Sequence, residues 1–117
     1  MSLRNLTPHS ITISNLTTGL QHTFEPSGEV ARVSTTSENI GFCQTTGVVV
    51  GRTLYGEVEG IGKPEDHPEG VLVSALVLGR LGSEWSGVAF APATGPNDNC
   101  IRDSKGHVVA VTKLVTV

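Results

Sequence analysis

The stretch Ser10-Ile11-Thr12-Ile13-Ser14, followed by Asn15-Leu16-Thr17-Thr18-Gly19 and then Leu20-Gln21-His22-Thr23-Phe24-Glu25, decides the fold class. Residues 10–14 alternate polar and apolar, the period of a strand with one face toward a core. The Asn-to-Gly segment supplies turn formers, and residues 20–25 return as a second strand, so the whole reads as a hairpin. Outward from it, Pro26-Ser27-Gly28 breaks the chain. Glu29-Val30-Ala31-Arg32-Val33-Ser34 alternates again, with Val30 and either Ala31 or Val33 facing inward. Thr35 to Gly47, rich in Ser, Thr, Asn and Gly, reads as an irregular connection. Val48-Val49-Val50 restarts a strand that Arg52 to Val58 continues or pairs with, Gly51 marking a bulge or kink.

Gly60 to Gly70, with Pro64, Pro68 and several acids, reads as a solvated loop. Val71-Leu72-Val73 is expected as a buried strand and Ser74 as the N-cap of a short helix through Leu81. That helix is expected to end at Gly82 in the left-handed conformation. Val88 to Ala91 reads as a strand and Pro92 to Asn99 as a loop. Cys100-Ile101-Arg102, a turn at Asp103-Ser104-Lys105-Gly106, and Val108 to Val115 read as a closing hairpin. The expectation is a mainly β (β-rich α+β) fold: a single domain over 1–117, a small antiparallel or mixed sheet of hairpins with one short helix. The 14 Gly and 6 Pro agree, since short strands need frequent reversals.

Composition narrows the function. Charged residues are 16%, low against a typical ~25%, and the net charge is -3, with the eight basic residues dispersed. No basic patch is available to grip DNA or RNA, whereas a small phosphorylated ligand needs only one or two arginines. Cys43 and Cys100, far apart and in dissimilar contexts, read as reduced thiols rather than a disulfide. No basic segment followed by an apolar stretch opens the chain, and its longest apolar run, within 71–78, is too short to span a membrane. A cytoplasmic location is therefore expected.

No zinc-ligand spacing joins His9, His22, His67 and His107, and no P-loop, nucleophile elbow or dinucleotide fingerprint occurs. Neither a metal nor a cofactor is expected. His67 among Glu65, Asp66 and Glu69 could offer oxygens to a hard cation, but a solvated acidic loop explains the same residues. Glu57 and Glu59 would share a strand face, which suits either acid–base work or an exposed surface. The strongest binding candidate is Ala93-Thr94-Gly95-Pro96-Asn97-Asp98-Asn99. Thr94, Asn97, Asp98 and Asn99 bring directed donors and acceptors for a ribose, base edge or phosphate, and Arg102 follows with a bidentate fork. Turn formation alone would also account for Pro-Asn-Asp-Asn. Thr7-Pro8-His9-Ser10 forms a second polar cluster, with Thr7 and His9 as candidates, and the segment around Arg52 and Tyr55 a third. Tyr55, Phe42, Phe90 and Trp85 could each stack on a base or belong to the core.

Taken in order, Asn5-Leu6-Thr7-Pro8-His9-Ser10-Ile11, Pro26-Ser27-Gly28-Glu29-Val30-Ala31-Arg32-Val33, Tyr55-Gly56-Glu57-Val58-Glu59-Gly60, Val73-Ser74-Ala75-Leu76-Val77, Ala91-Pro92-Ala93-Thr94-Gly95-Pro96 and Arg102-Asp103-Ser104-Lys105-Gly106-His107-Val108-Val109 resemble a family of small phage and prophage proteins that begin "NLTPH". The resemblance spans nearly the whole chain. It is similar in turn to phage counter-defence proteins that sequester a host nucleotide immune signal, of which the ADP-ribose-derived signals of Thoeris systems are one kind. Gly82 to Val88 departs from the family pattern, which is more acidic there, so no binding residue is placed in it.

The resemblance implies a binding protein in the host cytoplasm that captures a nucleotide-derived ligand without catalysis, with homo-oligomers carrying pockets between subunits. Two alternatives remain open. One is a phage structural or host-protein-interaction module with no small ligand. The other is a small hydrolase of the signal, with Glu57, Glu59 and Asp98 as its acids.

Overall fold

The buried triplet Val71-Leu72-Val73 organises the molecule, because each of its side chains is fully withdrawn from water. Burying a Val or Leu contributes about 1.5–3 kcal/mol, so this short segment anchors far more than its length suggests. The computed structural model describes residues 3–117. In it β6 (Val71–Leu72) lies parallel to β1 (Arg4–Asn5) on one side and to β7 (Ala89–Pro92) on the other. β10 (Leu114–Thr116) completes the sheet, antiparallel to β7, in the order β1-β6-β7-β10. The connection from β6 to β7 carries helix α1 (Ala75–Leu78) and a 3-10 turn, Ser83–Trp85. Leu6, Ala31, Ile61, Val77, Leu78 and the Trp85 indole join Ala89 and Ala91 in one core. Trp85, at 4% exposure, is a core residue and not a stacking platform.

Three two-stranded ribbons surround this sheet. The first is the hairpin read from the sequence: β2 (Ile11–Ser14) pairs antiparallel with β3 (Gln21–Phe24). Its turn is held by the Asn15 carboxamide oxygen, which accepts the N–H groups of Thr17 and Thr18. A second ribbon joins β8 (Ile101–Arg102) to β9 (Val108–Ala110).

The third ribbon corrects the expectation for residues 29–47. Glu29 to Ala31 lie outside any strand, and β4 runs from Arg32 to Phe42, paired along its length with β5 (Val49–Glu59). The Ser/Thr/Asn-rich segment expected to be irregular is therefore mostly strand. Its composition misleads because both faces meet solvent, so the apolar alternation that marks a half-buried strand is missing. Of the two readings offered for Val48 to Val58, continuation holds. Two bulges interrupt the ladder: Ile40 is the extra residue facing the Gly51–Val50 step, and β5 gains a residue between Tyr55 and Val58. The ribbon projects from the body: the radius of gyration is 17.2 Å, against about 13 Å for a compact chain of this length.

Two other expectations need correction. Ser74 does cap α1, its hydroxyl accepting the Val77 N–H at 3.2 Å, but the helix stops after Leu78. Beyond it the chain tightens through Arg80 N–H to Val77 O and Leu81 N–H to Leu78 O. Gly82 has an extended conformation (φ −81°, ψ 176°) and opens the next turn instead of closing the helix left-handed. The closing segment also divides after Ala110. Thr112 donates to the carbonyls of Asp98 and Asn99, and Lys113 O accepts the Ala93 N–H, which redirects the chain from β9 into β10.

Candidate functional site

Strand β2 meets the chain at the end of β9, and a groove lies among the neighbouring residues. The contact is a parallel bridge between Ile13 and Val111, in which Ser14 N–H donates to Val111 O and Val111 N–H to Thr12 O. The groove holds about 170 Å³ and is lined by Ser10, Ile11, Thr12, Pro92, Thr94 and residues 108–111. The aliphatic side chains of Ile11 and the valines give it apolar walls, while the hydroxyl residues Ser10, Thr12 and Thr94 add polar points. Its volume is below the ~300 Å³ of a drug-sized pocket, so it fits one flat ring or a fragment of a larger ligand.

The candidate loop sits at the Thr94 side of this groove and holds itself in shape. Asp98 Oδ2 accepts the Gly95 N–H at 2.8 Å, and Asp98 Oδ1 lies 3.7 Å from the Lys113 ammonium. Asn99 adopts φ +56°, a left-handed value that Asn tolerates better than most residues. Arg102 donates from Nη1 to Gly106 O at 2.9 Å and from Nη2 to Thr94 O at 3.5 Å. This ties the Arg102 guanidinium to the Thr94 backbone carbonyl, beside the groove, with donors to spare. Among the described residues, the carboxamides of Asn97 and Asn99 carry no hydrogen bond and face solvent. Asp98 has a structural use, which the two asparagine side chains do not share.

The other candidates fall elsewhere. The Thr7 hydroxyl is buried, donating to Asn5 Oδ1 at 2.7 Å with His9 O at 3.0 Å, so its work is internal. His9 is exposed, and its chain neighbour Ser10 lines the groove. Arg52 is on the projecting ribbon beside Glu38, 3.6 Å away, and Tyr55 faces the Arg80 guanidinium 5.4 Å from its ring centroid. Of the nine candidates only Thr94 lines the groove, with Arg102 tied to it.

Sequence reasoning passed over Ser10, Thr12 and Val108 to Val111. Alternation read residues 10–14 as a half-buried strand, but nothing local signals that two strands distant in sequence will meet.

The acidic loop is structural. Asp66 Oδ2 accepts the Lys63 N–H at 3.0 Å, and the His67 ring packs 6.1 Å from that of Trp85 with Nε2 against Ile61 O. Among the described residues no three of His, Cys, Asp and Glu converge to hold a metal ion. Glu57 and Glu59 are both exposed on β5. No helix among the described residues is long and apolar enough to cross a membrane. Comparison with family models, with curated proteins and with solved structures finds no match for this chain.

Proposed function

We propose that the protein is a non-catalytic binder of a small phosphorylated, nucleotide-derived compound, of the ADP-ribose type, which it sequesters in the cytoplasm of a phage-infected host. The observation that carries this reading is the link between Thr94 and Arg102. It joins an apolar groove suited to a ring with a guanidinium suited to a phosphate, since Arg offers five N–H donors and uses two here. The unengaged amides of Asn97 and Asn99 add neutral donors and acceptors alongside. The resemblance to phage counter-defence proteins supplies the ligand class.

Capture and catalysis separate in one experiment. The protein is mixed with cyclic ADP-ribose or a related isomer, the free compound is quantified, and the complex is then heated. Sequestration requires depletion followed by recovery of the unchanged compound. Recovery of an altered compound points to the hydrolase reading instead, and no depletion rejects capture of that class.

A second reading has an observation of its own. Ile40, Phe42, Val49 and Tyr55 lie exposed on the projecting ribbon, which suits a module that works by contacting another protein.

A further inference from the structure

Strand β2 borders a second hollow besides the groove, and none of the candidate residues lines it. The β2–β3 pairing sets Ile11 opposite Phe24 and Ile13 opposite His22. The two-residue strand period turns all four side chains to one face. On the other face the Thr12 and Thr23 hydroxyls meet at 2.9 Å. The hollow is open and holds about 460 Å³, within the ~300–1,000 Å³ of small-molecule sites. Ile13, Leu20, His22 and Phe24 give it apolar and aromatic walls, and the His22 and Phe24 rings meet edge to face with centroids 4.4 Å apart. Among the described residues no Asp, Glu, Lys or Arg lines it. Two carboxamides do, those of Asn15 and Gln21. Asn15 Oδ1 already holds the Thr17 and Thr18 N–H groups, which leaves its NH₂ as a donor.

We propose that this hollow seats the base of the captured compound, a purine ring lying against His22 and Phe24, while the ribose and phosphate occupy the groove and meet Arg102. The placement rests on capture of a nucleotide-type compound as the protein's function, and it divides that ligand between two neighbouring seats. Position, size and chemistry agree on the division. Ile11 lines the groove and Ile13 the hollow, about 7 Å apart at ~3.4 Å per strand residue, so the seats adjoin along β2. The groove, at about 170 Å³, has room for a sugar, and the larger hollow for a bicyclic base. Hydroxyls of Ser10, Thr12 and Thr94 in the groove match those of a ribose, each able to donate and accept. The hollow has no guanidinium or ammonium for a phosphate, yet it combines two aromatic rings with amide donors. That set suits a flat heteroaromatic ring, which stacks on an aromatic face and accepts hydrogen bonds at its ring nitrogens.

The test is titration of cyclic ADP-ribose against the full chain as wild type, His22→Ala, Phe24→Trp and Arg102→Ala. His22 is exposed, so its removal should leave the fold intact, and emission from Trp85, the only tryptophan and a core residue, reports this. His22→Ala should weaken binding at least about five-fold, the low end of the loss when a base is deprived of an aromatic partner. Phe24→Trp keeps an aromatic wall and should bind nearly as wild type, while its added indole emission falls as the base covers it. Unchanged affinity in folded His22→Ala, or an added emission that the ligand does not alter, overturns the placement. Arg102 does not line the hollow, so weakening by Arg102→Ala with none by His22→Ala means that capture is real and the base lies elsewhere. A wild type that binds no cyclic ADP-ribose overturns the placement together with the function on which it rests.

Discussion

The Thr7 hydroxyl and the Asn5 carboxamide oxygen are hydrogen-bonded at 2.7 Å inside the protein, and the same oxygen accepts the Thr7 N–H at 2.9 Å. The Asn5 amide nitrogen donates in turn to His9 O and Phe24 O, at 2.8 and 2.9 Å. One side chain, 1% exposed, thus ties the turn before β2 to the end of β3. Asn5→Leu should cost about 2–4 kcal/mol, because it orphans several buried polar groups at once. Thr7→Ala should cost about 1 kcal/mol while leaving ligand capture intact. Urea unfolding followed by Trp85 emission measures both. A Thr7→Ala protein that is fully stable but fails to capture would return Thr7 to the ligand site.

Gly60 ends β5 with φ +82°, and a Cβ there would lie 2.6 Å from Val30 O. Gly60→Ala therefore combines left-handed strain with a clash against backbone that cannot swing aside, and should cost about 2–3 kcal/mol. Gly87, with φ +73° and open space around it, carries only the strain and should lose about 1 kcal/mol as Ala. Equal losses in denaturant midpoint for the two variants would show that the approach to Val30 contributes nothing.

What the sequence disclosed follows the range of the forces involved. The β2–β3 hairpin was legible because alternation and an Asn–Gly turn are local signals, and the Ser74 cap because its hydroxyl answers a donor three residues away. Residues 35–42 were not legible. Their strand state is imposed by pairing with β5, and no buried face stamps a period of two on the side chains. The division of the last strand depends on Thr112 reaching the carbonyls of Asp98 and Asn99, a contact set by tertiary packing. Within the candidate site, Thr94 and Arg102 lie close in sequence and could be paired by eye. The groove itself needs β2 and β9, about a hundred residues apart, to come together near Ile13 and Val111, which no window of residues encodes.

Arg102 is exposed, and its two hydrogen bonds go to backbone carbonyls that water can also reach. Arg102→Ala should therefore change stability by less than about 1 kcal/mol. If the guanidinium meets a phosphate, capture should weaken at least about ten-fold, as loss of a charge-assisted bond worth ~1.5–3 kcal/mol implies. Arg102→Lys should fall between the two, since it keeps the charge and loses the planar fork. Titration of the ligand against the three proteins checks the ranking, and equal affinities would remove Arg102 from the site.

Cys43 lies at the turn of the projecting ribbon, where its N–H donates to Val48 O and its carbonyl accepts the Gly47 N–H. The Thr46 side chain holds its thiol below the ordinary range, helped by the Thr46 and Thr45 backbone, because these donors favour the thiolate. Burial acts in the opposite direction and is outweighed. The thiolate is the reactive form, so the rate of alkylation by iodoacetamide should rise at a lower pH than for an ordinary exposed thiol. Thr46→Val removes the largest of these interactions and should move that rise to higher pH, with the plateau rate at high pH little changed. A profile unaltered by Thr46→Val would mean that the hydroxyl does not reach the sulfur in solution.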